Sequence, residues 1–284
     1  MDAGSALPPL KPGAAHFPAC SFGRSRHGAA VPESLLSPAP LLPAPPLSLL
    51  EDAALFLDFD GTLAPLAATP DAVVVDDALI AMLTALRDRL EGRLAIVSGR
   101  SVATLRDLGF GAFLLAGTHG LEFARPGDAP HSPARLPAID AVEARMADFA
   151  ANHPGVLVER KSISVGLHYR GAPQLAAEAD ALGAALAEEH GLAVQRGKML
   201  VELRPGGADK GSAVRALMQA PPMAGFTPLF FGDDVTDEEG FVVASDMGGH
   251  GVLVGPPRST AATFSLEQVA DVRHYLRQGA AGPR

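Results

Sequence analysis

From residue 53 onward, short unbroken apolar runs alternate with longer stretches in which apolar side chains recur every three or four positions. The runs "AALFLDF" (53–59), "RLAIVSG" (93–99), "AFLLAGTHG" (112–120), "TPLFF" (227–231) and "GHGVLVG" (249–255) read as strands buried on both faces. Helical spacing marks "DALIAMLTALRDRL" (77–90) and "DKGSAVRALMQA" (209–220), and Ser101 is placed to cap a short helix between the second and third strands. This rhythm predicts βαβ units in an α/β protein with a doubly wound parallel sheet. In such a sheet the carboxyl ends of the strands line one crevice, so Asp58, Ser98 and His119 are expected to converge there.

Residues 124 to 204 break the rhythm. After the proline-rich "ARPGDAPHSPARLP" come a helix at about 138–152, a strand pair in "GVLVERKSISVGLHYR", a helix at about 173–190 and a second pair in "LAVQRGKMLVELRP". That order predicts an antiparallel sheet with helices on one face, inserted as an α+β cap. The expected domains are therefore a core of 51–123 and 205–284, and a cap of 124–204. Prolines crowd residues 1–50, which predicts a disordered tail there.

Composition narrows the partners. Of 284 residues 48% are hydrophobic and 19% charged, enough for a large core. The net charge is −9 and there is no basic run, which argues against nucleic acid. No apolar stretch is long enough to span a bilayer, so no membrane partner is expected. A single cysteine, Cys20, leaves no internal disulfide or cysteine-rich metal site, in keeping with a cytoplasmic protein, expected to be monomeric.

The chemistry is carried by four short stretches at one end of the predicted sheet: "DFDGT" (58–62), "SGR" (98–100), "DKG" (209–211) and "GDDVTDE" (232–238). Two carboxylates one residue apart at the end of an apolar strand repel each other and cost desolvation, which a bound cation offsets. Asp58 beside a hard cation stays ionised and is suited to attack phosphorus, with Asp60 as proton donor to the leaving oxygen and acceptor from water. Gly61 permits the tight exit from the strand, and the Thr62 and Ser98 hydroxyls and the Lys210 ammonium are candidate phosphate partners. Mg²⁺ needs few protein ligands because it keeps water; the candidates are Asp58, Asp60 through its backbone oxygen, and Asp233, with Asp234 and Asp237 further out. Taken singly, each stretch also reads as a solvated strand end, a turn or a helix cap; their joint order selects a phosphotransfer site.

The four stretches resemble, in order, the motifs of the haloacid dehalogenase superfamily. Within it, "GTHGLE" (117–122), "VERKSISVGLHYR" (158–170), "GKMLVELRP" (197–205) and "FGDDVTDE" (231–238) are similar to the trehalose-6-phosphate phosphatase family, over about residues 53 to 275. The resemblance implies an Mg²⁺-dependent hydrolase acting on trehalose 6-phosphate through an aspartyl-phosphate, with a C2-type cap. It implies that Glu159, Lys161 and Glu202 hydrogen-bond glucose hydroxyls, and that Gly61, Gly99, Arg100, His119, Gly120, His168, Arg170 and Lys198 complete the substrate site. Glu159 and Lys161, two apart on one strand, share a face, which also allows plain ion pairs on an exposed sheet. Two other functions compete: a phosphatase of another sugar phosphate, and a phospho-accepting receiver or inactive regulatory domain. A receiver gives an acid/base Asp60 no role.

Overall fold

The computed structural model describes residues 41–67, 72–197 and 199–282. Lys198 lies outside the described residues. The main sheet has seven strands in the order β11-β10-β9-β1-β2-β3-β4. They span Ala53–Leu57 (β1), Leu94–Val97 (β2), Leu114–Gly117 (β3), Glu122–Ala124 (β4), Thr227–Gly232 (β9), His250–Val254 (β10) and Phe264–Leu266 (β11). All neighbours pair in parallel except β4, which runs antiparallel to β3.

Strand β1 shows why the sheet is buried on both faces. Its Leu55 and Leu57 join one apolar cluster, with α1 (Asp77–Arg89) and α7 (Val269–Ala281). Its Ala54 and Phe56 join the other, with α5 (Lys210–Leu217) and α6 (Glu238–Asp246). Helix α1 begins where the Asp76 carboxylate accepts from the Leu79 N–H, and it buries Leu79, Met82, Leu83 and Leu86 at the spacing of a single helical face. The expected helix after Ser101 is α2 (Val102–Asp107), with the Ser101 hydroxyl accepting from the Thr104 N–H.

The inserted cap is a four-stranded antiparallel sheet formed by Leu157–Arg160 (β5), Val165–His168 (β6), Ala193–Gly197 (β7) and Leu200–Arg204 (β8), in the order β5-β6-β8-β7. Helices α3 (Pro137–Asn152) and α4 (Ala176–His190) cover one face, against Val165, Leu167 and Leu203. Alternation along each strand then turns Glu159, Gly166, His168 and Glu202 to the opposite face.

One difference from the sequence reading concerns a boundary. Residues 41–50, assigned to the tail, pack on the core: Ser265 donates to the Leu42 and Pro43 carbonyls and Tyr275 to that of Pro46, while Leu50 is buried. These bonds cover the open edge of β11. Strands β4 and β11 and helices α6 and α7 were not foreseen. Among the described residues no helix is long and apolar enough to cross a membrane.

Candidate active site

The loop after β1 makes the first part of the site. Phe59 is fully buried, and its carbonyl accepts from both the Leu63 and Ala64 N–H groups, closing a tight turn over 59–64. Gly61 sits in that turn at φ +94°, and a Cβ there would fall 2.0 Å from Asp233 Oδ2. A side chain at 61 is thus excluded twice, by backbone strain and by the carboxylate opposite. Thr62 is carried into the interior by the same turn.

Strand β9 ends at Gly232 and delivers Asp233, followed by a single 3-10 turn at Val235–Asp237. Lys210 opens α5, whose start is fixed by a capping box between Asp209 and Ser212. Its ammonium donates to Asp58 Oδ1 at 2.7 Å and to Asp237 Oδ1 at 2.6 Å. Asp237 is fully buried, and its other oxygen accepts from the Asp233 and Asp234 N–H groups at 3.0 Å each. Its carboxylate therefore anchors the loop and aims the lysine, a nearer role than the outer metal position expected from sequence. Asp234 is exposed and caps its own turn through Val235, so its side chain does not join the cluster.

Carboxylate oxygens of Asp58, Asp233 and Asp237 lie within 4.8 Å of one another. Three buried or half-buried acids face one lysine, so two negative charges remain unmatched, the complement of one divalent cation. Burial, together with the charges of Asp237 and Asp233, raises the Asp58 carboxyl well above the usual range despite Lys210. Burial and Asp237 push Asp233 up to about 7. Lys210 is held protonated: burial opposes its charge, but Asp237 and Asp58 outweigh that and raise it. Asp233 Oδ1 is buried without a hydrogen-bond partner among the described residues, as are the Thr62 and Thr118 hydroxyls. An all-oxygen cluster with an orphaned carboxylate oxygen fits a hard cation.

Arg100 grips Asp60 with two bonds, Nε to Oδ2 at 2.7 Å and Nη2 to Oδ1 at 2.8 Å, and lies 5.2 Å from the Phe59 ring centroid. Ser98 is buried at the end of β2, and its hydroxyl accepts from the Arg100 N–H. Beyond β3, Thr118, His119 and Gly120 have φ of 47°, 53° and 90°. A left-handed β-branched residue is costly, and here the turn is held by Thr118 N–H to the Arg100 carbonyl and His119 N–H to that of Ser98. It seats the His119 ring against Gly99, where a Cβ would come 2.6 Å from Nε2. Burial, then the charges of Lys210, Arg204 and Lys161, keep this imidazole neutral, well below its ordinary pKa.

The cap supplies a second polar cluster. Lys161 donates to Glu202 at 2.5 Å and lies 3.9 Å from Glu159, and the Ser164 hydroxyl donates to the other oxygen of Glu202. His168 bonds Glu159 at 2.8 Å and holds that carboxyl below its usual value. Lys161 and Glu202 are 15% and 2% exposed at the side chain, so that pair does not lie on a solvated face, whereas the Glu159 side chain is 40% exposed. Glu159 feels the charge of Arg100 and His119 that of Lys161, which ties this face of the cap to the core site. Arg170 is exposed in the turn after β6. Sequence reasoning gave no role to Ser164, Arg135 or Glu122; the signal for Glu122 was an acid inside the short apolar "LEF".

The chain is similar in sequence and fold to known proteins. The trehalose-phosphatase family profile matches residues 56–270. A probable trehalose-phosphate phosphatase of Sinorhizobium fredii is 42% identical over 211 residues, 73% of this chain and 80% of its own length. The trehalose-6-phosphate phosphatase of Escherichia coli is 40% identical over 245 residues, 84% of this chain and 89% of that one. Among solved structures, the C-terminal domain of a C. albicans trehalose-6-phosphate phosphatase superposes with a TM-score of 0.74 at 26% identity, covering 86% of this chain and 99% of that one. With a matching profile over most of its length and a haloacid dehalogenase-like core bearing the inserted cap, the chain belongs to the trehalose-phosphatase family.

Proposed function

We propose that this protein hydrolyses trehalose 6-phosphate to trehalose and phosphate through a phosphorylated Asp58. The carrying observation is the Lys210-bridged carboxylate cluster facing a cap surface of fixed, buried donors and acceptors. An Asp58 oxygen attacks phosphorus as the bond from phosphorus to the sugar oxygen breaks. Asp60 gives that oxygen its proton, then accepts one from the water that attacks the phosphorylated aspartate, releasing phosphate and free Asp58. Lys210, Ser98 and Thr62 face the phosphoryl oxygens, and Arg100 orients Asp60. Asp58, Asp233 and the Asp60 backbone oxygen would hold Mg²⁺, which when bound neutralises charge on the phosphate. In the cap, Glu159, Lys161 and Glu202 match sugar hydroxyls, with His119 and His168 beside them. The matching test is phosphate release from a panel of sugar phosphates with and without Mg²⁺. Faster release from another sugar phosphate would reassign the substrate, and no release from any would remove the reading.

The cluster also predicts a pH-dependent ion effect on stability. Asp233 titrates near 3.8 when unfolded and about 7 when folded, so the cation-free fold loses stability as pH rises between those values. A cation displaces the proton and relieves the repulsion. Mg²⁺ at a hundredfold excess over its Kd stabilises by about 2.7 kcal/mol. The rise in Tm on adding Mg²⁺ to EDTA-treated protein should be clearly larger at about pH 8 than at about pH 5.5. Equal rises at both pH values would remove these carboxylates from the ion site.

A further inference from the structure

Glu122 is a buried carboxylate, 3% exposed, that takes no part in the chemistry above. One of its oxygens accepts from the Val102 N–H at 2.7 Å, the first residue of α2. The other accepts from the hydroxyl of Ser162, in the cap turn between β5 and β6. The two partners belong to the two halves of the site. Val102 directly follows the Ser98-to-Ser101 loop, which carries the phosphate-facing hydroxyl and Arg100. Ser162 directly follows Lys161, and Ser164 beyond it holds Glu202.

The cap turn does not adapt to its surroundings. Arg135, only 15% exposed, donates one nitrogen to the carbonyls of Lys161, Ser162 and Ser164 at 2.6, 3.3 and 3.2 Å, and its other nitrogens to Asp140 and Glu143 on α3. The turn is therefore fixed to the body of the cap, and Ser162 meets Glu122 only where the whole cap seats on the core. Glu122 is fixed too, since it starts β4 behind the strained 118–120 turn and is tied to α2.

Resting on the phosphatase reading above, we propose that Glu122 is a positioning residue that sets the register between cap and core through Ser162, so that sugar contacts and phosphate contacts form together. A charged acceptor buried in the core makes this hydrogen bond stronger than a neutral one, and it favours the closed arrangement in which both clusters face one substrate. A ligand that needs the closed arrangement binds more weakly in proportion as that arrangement is less populated. A small phosphate ester needs no sugar contacts and is indifferent to it.

Ser162 is itself solvent-exposed, so Ser162→Ala removes the contact without opening a cavity. With trehalose 6-phosphate we expect its KM to rise by about tenfold, with kcat changed less than about threefold. With p-nitrophenyl phosphate, kcat/KM should stay within about twofold, and Ser162→Thr should restore most of the KM. Glu122→Gln should raise the same KM, and Ser162→Ala added to it should raise it no further, because the pair acts as one interaction. An unchanged KM for Ser162→Ala, equal losses on both esters, or additive effects in the double variant would each overturn the proposal. Failure of the wild-type enzyme to release phosphate from trehalose 6-phosphate would instead overturn the phosphatase reading, a distinct result.

Discussion

Asp58→Asn should lower turnover of trehalose 6-phosphate by at least about 10³-fold, because the amide is no nucleophile toward phosphorus and does not replace the carboxylate beside a cation. The same change should leave the fold intact. Lys210 keeps Asp237 at 2.6 Å, so its ammonium is not left unpaired in the interior. Removal of one of three mutually repelling acids also relieves the cluster, which in EDTA should place the Tm of Asp58→Asn at or above that of the wild type. A variant retaining more than about a tenth of wild-type activity would sink the covalent route. One that is inactive and also strongly destabilised would show that Asp58 holds the fold together. Asp60→Asn is a complementary case: single-turnover phosphate release should be slow, since the leaving oxygen and the attacking water both lose their proton partner.

Much of this site was legible because its residues stand at places where a pattern ends. Asp58 closes an apolar run, Lys210 opens a helix behind a capping aspartate, and Asp233 follows the last apolar residue and glycine of β9. Strand ends share one edge in a parallel sheet, so order along the chain translated directly into proximity. The cap was legible for a related reason. Two helices and two strand pairs in series leave few topologies, and alternation fixed which side chains share a face.

What escaped was set by partners distant in sequence. Asp234 and Asp237 look equivalent in "GDDVTDE", yet Asp234 only caps the single 3-10 turn that follows it, while Asp237, at the end of that turn, reaches inward to Lys210 and accepts from two backbone N–H groups. Arg135 lies in a proline-rich connection with no periodicity, and its role depends on carbonyls 26 to 29 residues away. The chain before residue 51 read as tail because proline prevents helix and paired strand, but proline leaves the carbonyl free. Those of Pro43 and Pro46 accept from Ser265 and Tyr275, so a proline-rich strap covers the sheet edge without being a strand. Strand β11 was missed for the complementary reason: "FSL" is three half-buried residues, too short to show alternation.

Truncation of the cap cluster should separate sugar recognition from chemistry. Ala replacement of Glu159, Lys161 or Glu202 should each lower kcat/KM on trehalose 6-phosphate by about 10- to 10³-fold, the effect of removing one buried polar partner worth about 1 to 4 kcal/mol. On p-nitrophenyl phosphate each should change kcat/KM less than about threefold, since that ester reaches none of these groups. Glu202 is the most deeply set of the three, and its loss leaves Lys161, among the described residues, with Glu159 at 3.9 Å as its remaining ion-pair partner and strands the Ser164 hydroxyl. Its Ala variant should therefore be the least stable, and Glu202→Gln, which keeps volume and an acceptor for Ser164, should recover the stability without recovering the lost specificity. That split isolates the charge of Glu202, which orients Lys161, from the space it fills. Equal losses on both esters would instead assign the three residues to holding the cap together, and the disaccharide would then lack support from this face of the protein.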